Sequence, residues 1–160
     1  MQAVYDSGFV LGKGTASDFW SLLKTRSGLS GEETELTQRI LDGFVLRRWI
    51  ITIVEQLRTR GYRVGILSDQ THWLNELDAR DHFFNKFDEI FNSYNIGKGK
   101  REPALFTEVT RQLGVSPGQI LFIDDSESNI QRAHEAGWQT LHFVSKDQFL
   151  EDIRPWLTLP

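Results

Sequence analysis

The chain has 160 residues, of which 39% are apolar and 25% charged, and its formal net charge is −4 at pH 7, as expected for one globular domain with a sizeable core. It has no cysteine, which excludes disulfides and thiolate metal sites, and its scattered Lys and Arg residues argue against nucleic-acid binding. No apolar run is long enough to cross a bilayer and the first ten residues do not resemble a signal peptide, so we expect a soluble, cytoplasmic protein.

The first part of the chain is predicted to be helical. Two segments with helical patterns, 16–26 and 31–44, are joined by the turn-rich residues 27–30, and no strand is predicted between them. We expect these helices to form a small appendage, residues 12–45, that precedes a main part at 46–160. The whole chain, 1–160, is predicted to be a single domain.

The main part alternates between predicted helices and predicted strands. In chain order these are a helix from Leu46 to a stop at Gly61, a strand at 62–67, a helix from Pro103 to Gly114, a strand at 119–123, a helix from Ser126 to Gly137, a strand at 139–144 and a short helix at 146–153. This alternation predicts parallel strands joined by right-handed crossovers, and therefore an α/β sandwich.

Polar residues end two of the predicted strands. Ser68 follows one of them, and Asp124 and Asp125 follow another. Ligands bind at the carboxyl ends of parallel strands, and adjacent carboxylates suit a Mg²⁺ ion, which would relieve their mutual repulsion. The alternative is that Asp125 or Ser126 only caps the next helix, and this stretch alone does not decide between the two.

A basic loop precedes the helix that begins near Pro103. It contains Lys98, Lys100 and Arg101. A lysine at this place can reach back to the edge of the sheet, but a solvated basic loop is the commoner arrangement.

Taken in order, these motifs resemble those of the haloacid dehalogenase superfamily of hydrolases. "GILSDQ" is similar to its second motif, "GKGKREPALF" to its lysine motif, and "FIDDSESNIQRAHEAGWQTLHF" to its acidic motif with the helix and strand that follow. The resemblance covers roughly residues 12–143. It implies a three-layer α/β sandwich with a parallel Rossmann-like sheet, in which residues 12–45 form a small or truncated helical cap.

The resemblance also implies which residues bind the substrate. Ser68 would donate a hydrogen bond to a phosphoryl oxygen, and Lys100 would neutralise charge on the nucleophile and on the phosphoryl group. Asp69 lies beside them, where the superfamily usually has Asn, and Arg101 stands where Pro is usual. Both differences leave the substrate preference open.

Three further residues are implied to form a metal site. Asp125 would be the principal protein ligand of Mg²⁺, and Asp124 would bind beside it, directly or through water. Asn129 would orient these carboxylates.

The superfamily's nucleophile is an aspartate at the end of a central strand, and Asp6 in "AVYDSGFVL" is the only candidate. This role requires a strand at 2–5. In this fold that strand lies between the strands that end at Ser68 and Asp124, and it would pair backbone groups on both of them that would otherwise be buried without partners. Against this, Asp6 is close to Ser68 in the chain, and "GKGTASDFW" resembles a segment well inside the cap. In that second interpretation the chain lacks its first strand.

The resemblance therefore implies a Mg²⁺-dependent phosphatase that acts on a small phosphorylated metabolite. The alternative is a catalytically inactive or truncated relative that serves as a binding module. A true dehalogenase is disfavoured, because the Asp124/Asp125 pair suits a metal that dehalogenation does not need.

Overall fold

The computed structural model describes residues 2–158, which form ten α-helices and four short strands. The helices are α1 (Gln2–Asp6), α2 (Ala16–Ser27), α3 (Glu33–Gly43), α4 (Arg48–Thr59), α5 (Trp73–Asp81), α6 (Ser93–Ile96), α7 (Pro103–Leu113), α8 (Glu127–Glu135), α9 (Lys146–Asp152) and α10 (Arg154–Thr158). The strands are β1 (Gly65–Ser68), β2 (Glu89–Asn92), β3 (Leu121–Asp124) and β4 (Gln139–His142). None of the described helices is both long and apolar enough to span a membrane.

The strands form two parallel pairs within the described part of the chain. β1 pairs with β2, so that Ser68 lies opposite Asn92, and β3 pairs with β4, so that Asp124 lies opposite His142. Helix α8 connects β3 to β4, and α5 lies between β1 and β2 in the chain. The predicted α/β class with parallel pairing is confirmed. Ser68 and Asp124 are each the last residue of a strand, as the sequence predicted.

The predicted strand at residues 2–5 is wrong. These residues form α1, in which the backbone N–H of Ser7 donates to the carbonyl of Ala3 at 3.0 Å. The helix buries Ala3 in an aromatic cluster, and Gly8, with φ of 73°, ends it in the left-handed conformation that glycine adopts most readily. The packing of Ala3 against this cluster therefore favours a helix, although the short apolar run at 2–5 also suits a strand.

Strand β2 and helix α5 are absent from the sequence prediction, as are the short helices α6 and α10. Strand β2 has the sequence "EIFN", which carries too little alternation to stand out, and it is defined by its pairing with β1. Helix α5 buries Trp73, Leu74 and Leu77, but most of its other residues are polar, so its sequence shows no clear apolar face. Strand β2 and helix α5 therefore depend on contacts with distant parts of the chain.

The chain divides into two compact units, 1–99 and 100–160. The first unit has an aromatic core in which α2 and α5 meet. Phe19 on α2 and Trp73 on α5 lie edge to face at 5.9 Å between ring centroids, and Trp20 on α2 donates from Nε1 to Thr37 at 3.0 Å. The division of the chain into a cap at 12–45 and a core at 46–160 remains a prediction.

The second unit has its own aromatic core between its helices and strands. The ring of Phe106 on α7 lies edge to face with that of Trp138 at 5.2 Å, and Phe122 on β3 lies 5.8 Å from the same indole. The Trp138 Nε1–H donates to Thr110 at 2.8 Å, so this buried polar group is satisfied. This core fixes β3, and with it Asp124, against α7.

Candidate functional site

Lys100 and Asp124 form a largely buried ion pair in the second unit. The distance from Lys100 Nζ to Asp124 Oδ2 is 2.6 Å, and the two side chains are 12% and 6% exposed. Lys100 precedes α7, which begins at Pro103 as predicted, and Asp124 ends β3. The alternative of a solvated basic loop therefore does not describe Lys100, although Arg101 next to it is exposed.

The second oxygen of Asp124 is held by the chain that follows it. Oδ1 accepts hydrogen bonds from the backbone N–H of Ser126 at 2.8 Å and from Asn129 Nδ2 at 3.0 Å. The amide oxygen of Asn129 accepts from the Arg132 guanidinium at 3.1 Å, which fixes the amide because a guanidinium can only donate. Asn129 therefore contacts one of the two carboxylates that the family resemblance assigns to it.

Asp125 differs from its neighbour because its side chain is exposed and makes no hydrogen bond or ion pair with any of residues 2–158. Only its backbone carbonyl is engaged, with His142 Nε2 at 3.1 Å. The N-cap of α8 is Ser126, whose hydroxyl contacts the Ser128 hydroxyl and caps no helical N–H. The capping alternative thus accounts for neither the Asp125 nor the Ser126 side chain.

The chemistry of this donor set fits Mg²⁺. The ion is typically bound by one or two protein carboxylates and keeps several waters, so it does not need a protein cage. Residues 2–158 contain no cluster of three or more His, Cys, Asp or Glu side chains that could hold a metal. Two adjacent carboxylates, one exposed and one fixed by donors, match the requirement of Mg²⁺ rather than that of a structural Zn²⁺ site.

In the first unit, Ser68 and Asp69 lie at the carboxyl end of β1. Ser68 is half-buried, and its hydroxyl makes no hydrogen bond to any other residue in the described range. Asp69 accepts a short hydrogen bond from the Tyr5 hydroxyl. A Cβ built on Gly99 would lie 3.1 Å from the Tyr5 oxygen and 3.3 Å from Asp69 Oδ1, so the contact is closely packed.

Asp6 lies at the end of α1 and not at the end of a strand. Its carboxylate accepts from the Arg26 guanidinium at 2.5 Å and from Gln2 at 2.7 Å, and its side chain is 31% exposed. The strand on which its assignment as nucleophile depended is absent from the described residues, so the structure gives that role no support.

The contacts of Arg132 and Tyr5 are among those at these positions that were not predicted from the sequence. Arg132 lies one helical turn after Asn129 on α8, and this spacing is a signal that could have identified it. Tyr5 is 64 residues from Asp69, and no local pattern links the two.

Comparisons with known proteins relate the chain to hydrolases that include phosphatases. It is 27% identical to a flavin mononucleotide hydrolase of Arabidopsis thaliana over 63% of this chain and 41% of that protein. It is 30% identical to a glyceraldehyde 3-phosphate phosphatase of Methanopyrus kandleri over 66% of this chain and 46% of that protein. The chain thus spans less than half the length of these two relatives.

Solved structures share the fold. A HAD family enzyme from Bacteroides thetaiotaomicron superposes with a TM-score of 0.81 at 22% identity, over 96% of this chain and 79% of that one. A complex of an enzyme of the same name with magnesium and inorganic phosphate gives a TM-score of 0.74 at 23% identity, over 86% and 73% of the two chains. Residues 18–137 match the sequence profile of one family over most of the chain, and the chain therefore belongs to the haloacid dehalogenase-like hydrolases.

Proposed function

We propose that this chain carries the Mg²⁺- and phosphate-binding residues of a hydrolase that acts on a small phosphorylated metabolite. The observation that carries the proposal is the contrast between two adjacent carboxylates. Asp124 is buried and both of its oxygens accept hydrogen bonds, whereas the Asp125 side chain is exposed and has no partner among residues 2–158. An exposed carboxylate beside a fixed one is suited to a hydrated divalent cation.

The comparisons support a phosphorylated substrate. Two relatives are named as a flavin mononucleotide hydrolase and a glyceraldehyde 3-phosphate phosphatase, and a HAD family enzyme of similar fold was crystallised with magnesium and inorganic phosphate. A substrate of that class carries a phosphoryl group, for which hard cations and hydrogen-bond donors are the natural partners.

Each residue has a role that follows from its surroundings. Asp125 would hold the ion, and Asp124 would lie beside it in an orientation fixed by Asn129. Lys100 would offset negative charge near Asp124, and Ser68 would donate its hydroxyl to a phosphoryl oxygen. The ion, when bound, supplies positive charge that stabilises the phosphoryl oxygens.

A second candidate function is a binding module without turnover, and the position of Asp6 favours it. Asp6 is held by Arg26 and Gln2 at the end of a helix. Ser68 in the first unit would donate to a phosphoryl oxygen, and Lys100 and the two carboxylates in the second unit would supply positive charge and metal ligands, but none of these roles provides the aspartate attack that is expected of the family.

Thermal unfolding with and without Mg²⁺ tests the metal site. Millimolar Mg²⁺ should raise the melting temperature, because a ligand that binds only the folded state stabilises it. Asp125→Asn should abolish the increase, whereas Asp147→Asn, which changes an exposed aspartate on α9 of the same unit, should retain it. A wild-type melting temperature that Mg²⁺ leaves unchanged would contradict the proposal.

Hydrolysis of p-nitrophenyl phosphate distinguishes the two candidate functions. A hydrolase should show turnover that needs Mg²⁺ and is lost in Asp125→Asn. Phosphate binding without turnover would support the binding module. If the wild type shows turnover, Asp6→Asn tests whether Asp6 is the nucleophile. A variant that keeps its turnover would exclude that role.

A further inference from the structure

We propose that Tyr5 is a positioning residue for the anion-binding end of β1, acting through Asp69. By donating its hydroxyl to the Asp69 carboxylate, Tyr5 holds that negative charge away from the Ser68 hydroxyl and allows a phosphoryl group to bind there. This inference rests on the proposed function, because it takes Ser68 as the donor to the phosphoryl oxygen.

The need for such a residue follows from the charge at the strand end. Asp69 directly follows Ser68, whose hydroxyl has no partner within residues 2–158 and is therefore available to a ligand. A carboxylate one residue from that hydroxyl repels a phosphoryl dianion, and it does so strongly where water is partly excluded. Both residues are half-buried. Binding of an anion at Ser68 therefore requires that the Asp69 carboxylate be held by a donor.

Tyr5 meets this requirement with a rigid placement. Its hydroxyl donates to Asp69 Oδ2, and a hydrogen bond to an ionised acceptor is stronger than one between neutral groups. The helix that carries Tyr5 is fixed because Ala3 is buried in the aromatic core of the first unit.

Gly99 lies beside the Tyr5–Asp69 hydrogen bond. A Cβ at this position would lie 3.1 Å from the Tyr5 oxygen and 3.3 Å from Asp69 Oδ1, which is closer than side-chain atoms normally pack. A side chain at this position would press on both members of the Tyr5–Asp69 pair. The hydrogen bond thus joins α1 to the end of β1, and Gly99 leaves room for it.

The experiment is a double-mutant cycle that measures the affinity for inorganic phosphate by calorimetry in the presence of Mg²⁺. Tyr5→Phe should weaken phosphate binding by about tenfold or more, because it removes one hydrogen bond to a charged group. In Asp69→Asn, which has no charge to hold, the same change should have little effect. Tyr62→Phe removes the hydroxyl of a more exposed tyrosine in the same unit and should leave binding unchanged.

The outcomes separate this inference from the proposed function. An equal loss from Tyr5→Phe in both backgrounds would mean that Tyr5 acts through packing, and would overturn the inference. If wild type binds phosphate and Tyr5→Phe binds it equally well, this inference is overturned and the proposed function stands. If neither wild type nor any variant, Asp69→Asn included, binds phosphate, the proposed function and this inference are both overturned.

Discussion

Replacing Lys100 by Met removes the cation from the Lys100–Asp124 ion pair while keeping a long apolar side chain. The wild-type pair is separated by 2.6 Å, and neither side chain is more than 12% exposed. The variant leaves the Asp124 carboxylate in the same largely buried position without its ion-pair partner.

The size of the effect follows from the partners that Asp124 keeps. Removing one partner of a buried ion pair typically costs about 3–5 kcal/mol, because the other charge remains buried. Asp124 still accepts hydrogen bonds from the Ser126 N–H and from Asn129, so we expect a smaller loss of about 2–3 kcal/mol. For a chain of 160 residues this lowers the melting temperature by roughly 4–12 °C.

Urea unfolding followed by tryptophan fluorescence measures the loss. Lys100→Met, Asp124→Asn and the double variant form a cycle, whose coupling energy should be at least about 1 kcal/mol for two groups in direct contact. Arg111→Met, which removes a cation from an exposed position on α7, should change stability by less than about 0.5 kcal/mol. Additive effects in the cycle, or equal losses in Lys100→Met and Arg111→Met, would refute the reasoning.

Two further predictions concern stability away from the candidate site. Asp88 accepts a hydrogen bond from the Val64 N–H at 2.9 Å and another from the Arg58 guanidinium at 2.7 Å, and these hold its pKa below the usual range. Its stabilisation is therefore present above the ordinary aspartate pKa and is lost as the pH falls through the lower folded-state value. The difference in melting temperature between wild type and Asp88→Asn should shrink on acidification, and a difference that is the same at every pH would contradict this. Thr15 caps α2 by accepting from the Asp18 N–H at 3.1 Å, so Thr15→Ala should cost about 1 kcal/mol in urea unfolding, whereas Thr15→Ser should cost much less.

The sequence by itself determined the class of fold and the family. Helix α7 begins at Pro103 and strand β3 ends at Asp124, as predicted, because each is set by residues close together in the chain. The order of motifs around Ser68, Lys100 and Asp124 identified the haloacid dehalogenase-like hydrolases, and the match over residues 18–137 confirms that family. Local patterns of this kind are readable because proline, glycine and apolar spacing act within a few residues.

Tertiary structure alone decided the contacts that connect distant residues. Residues 2–6 form a helix because Ala3 packs into an aromatic core, although the same short run also suits a strand. The distinction between the fixed Asp124 and the exposed Asp125 depends on Lys100 and on the turn of α8, and the hydrogen bond of Tyr5 to Asp69 spans 64 residues. Burial and long-range pairing depend on how the whole unit packs, and this information is not present in the few residues around each position.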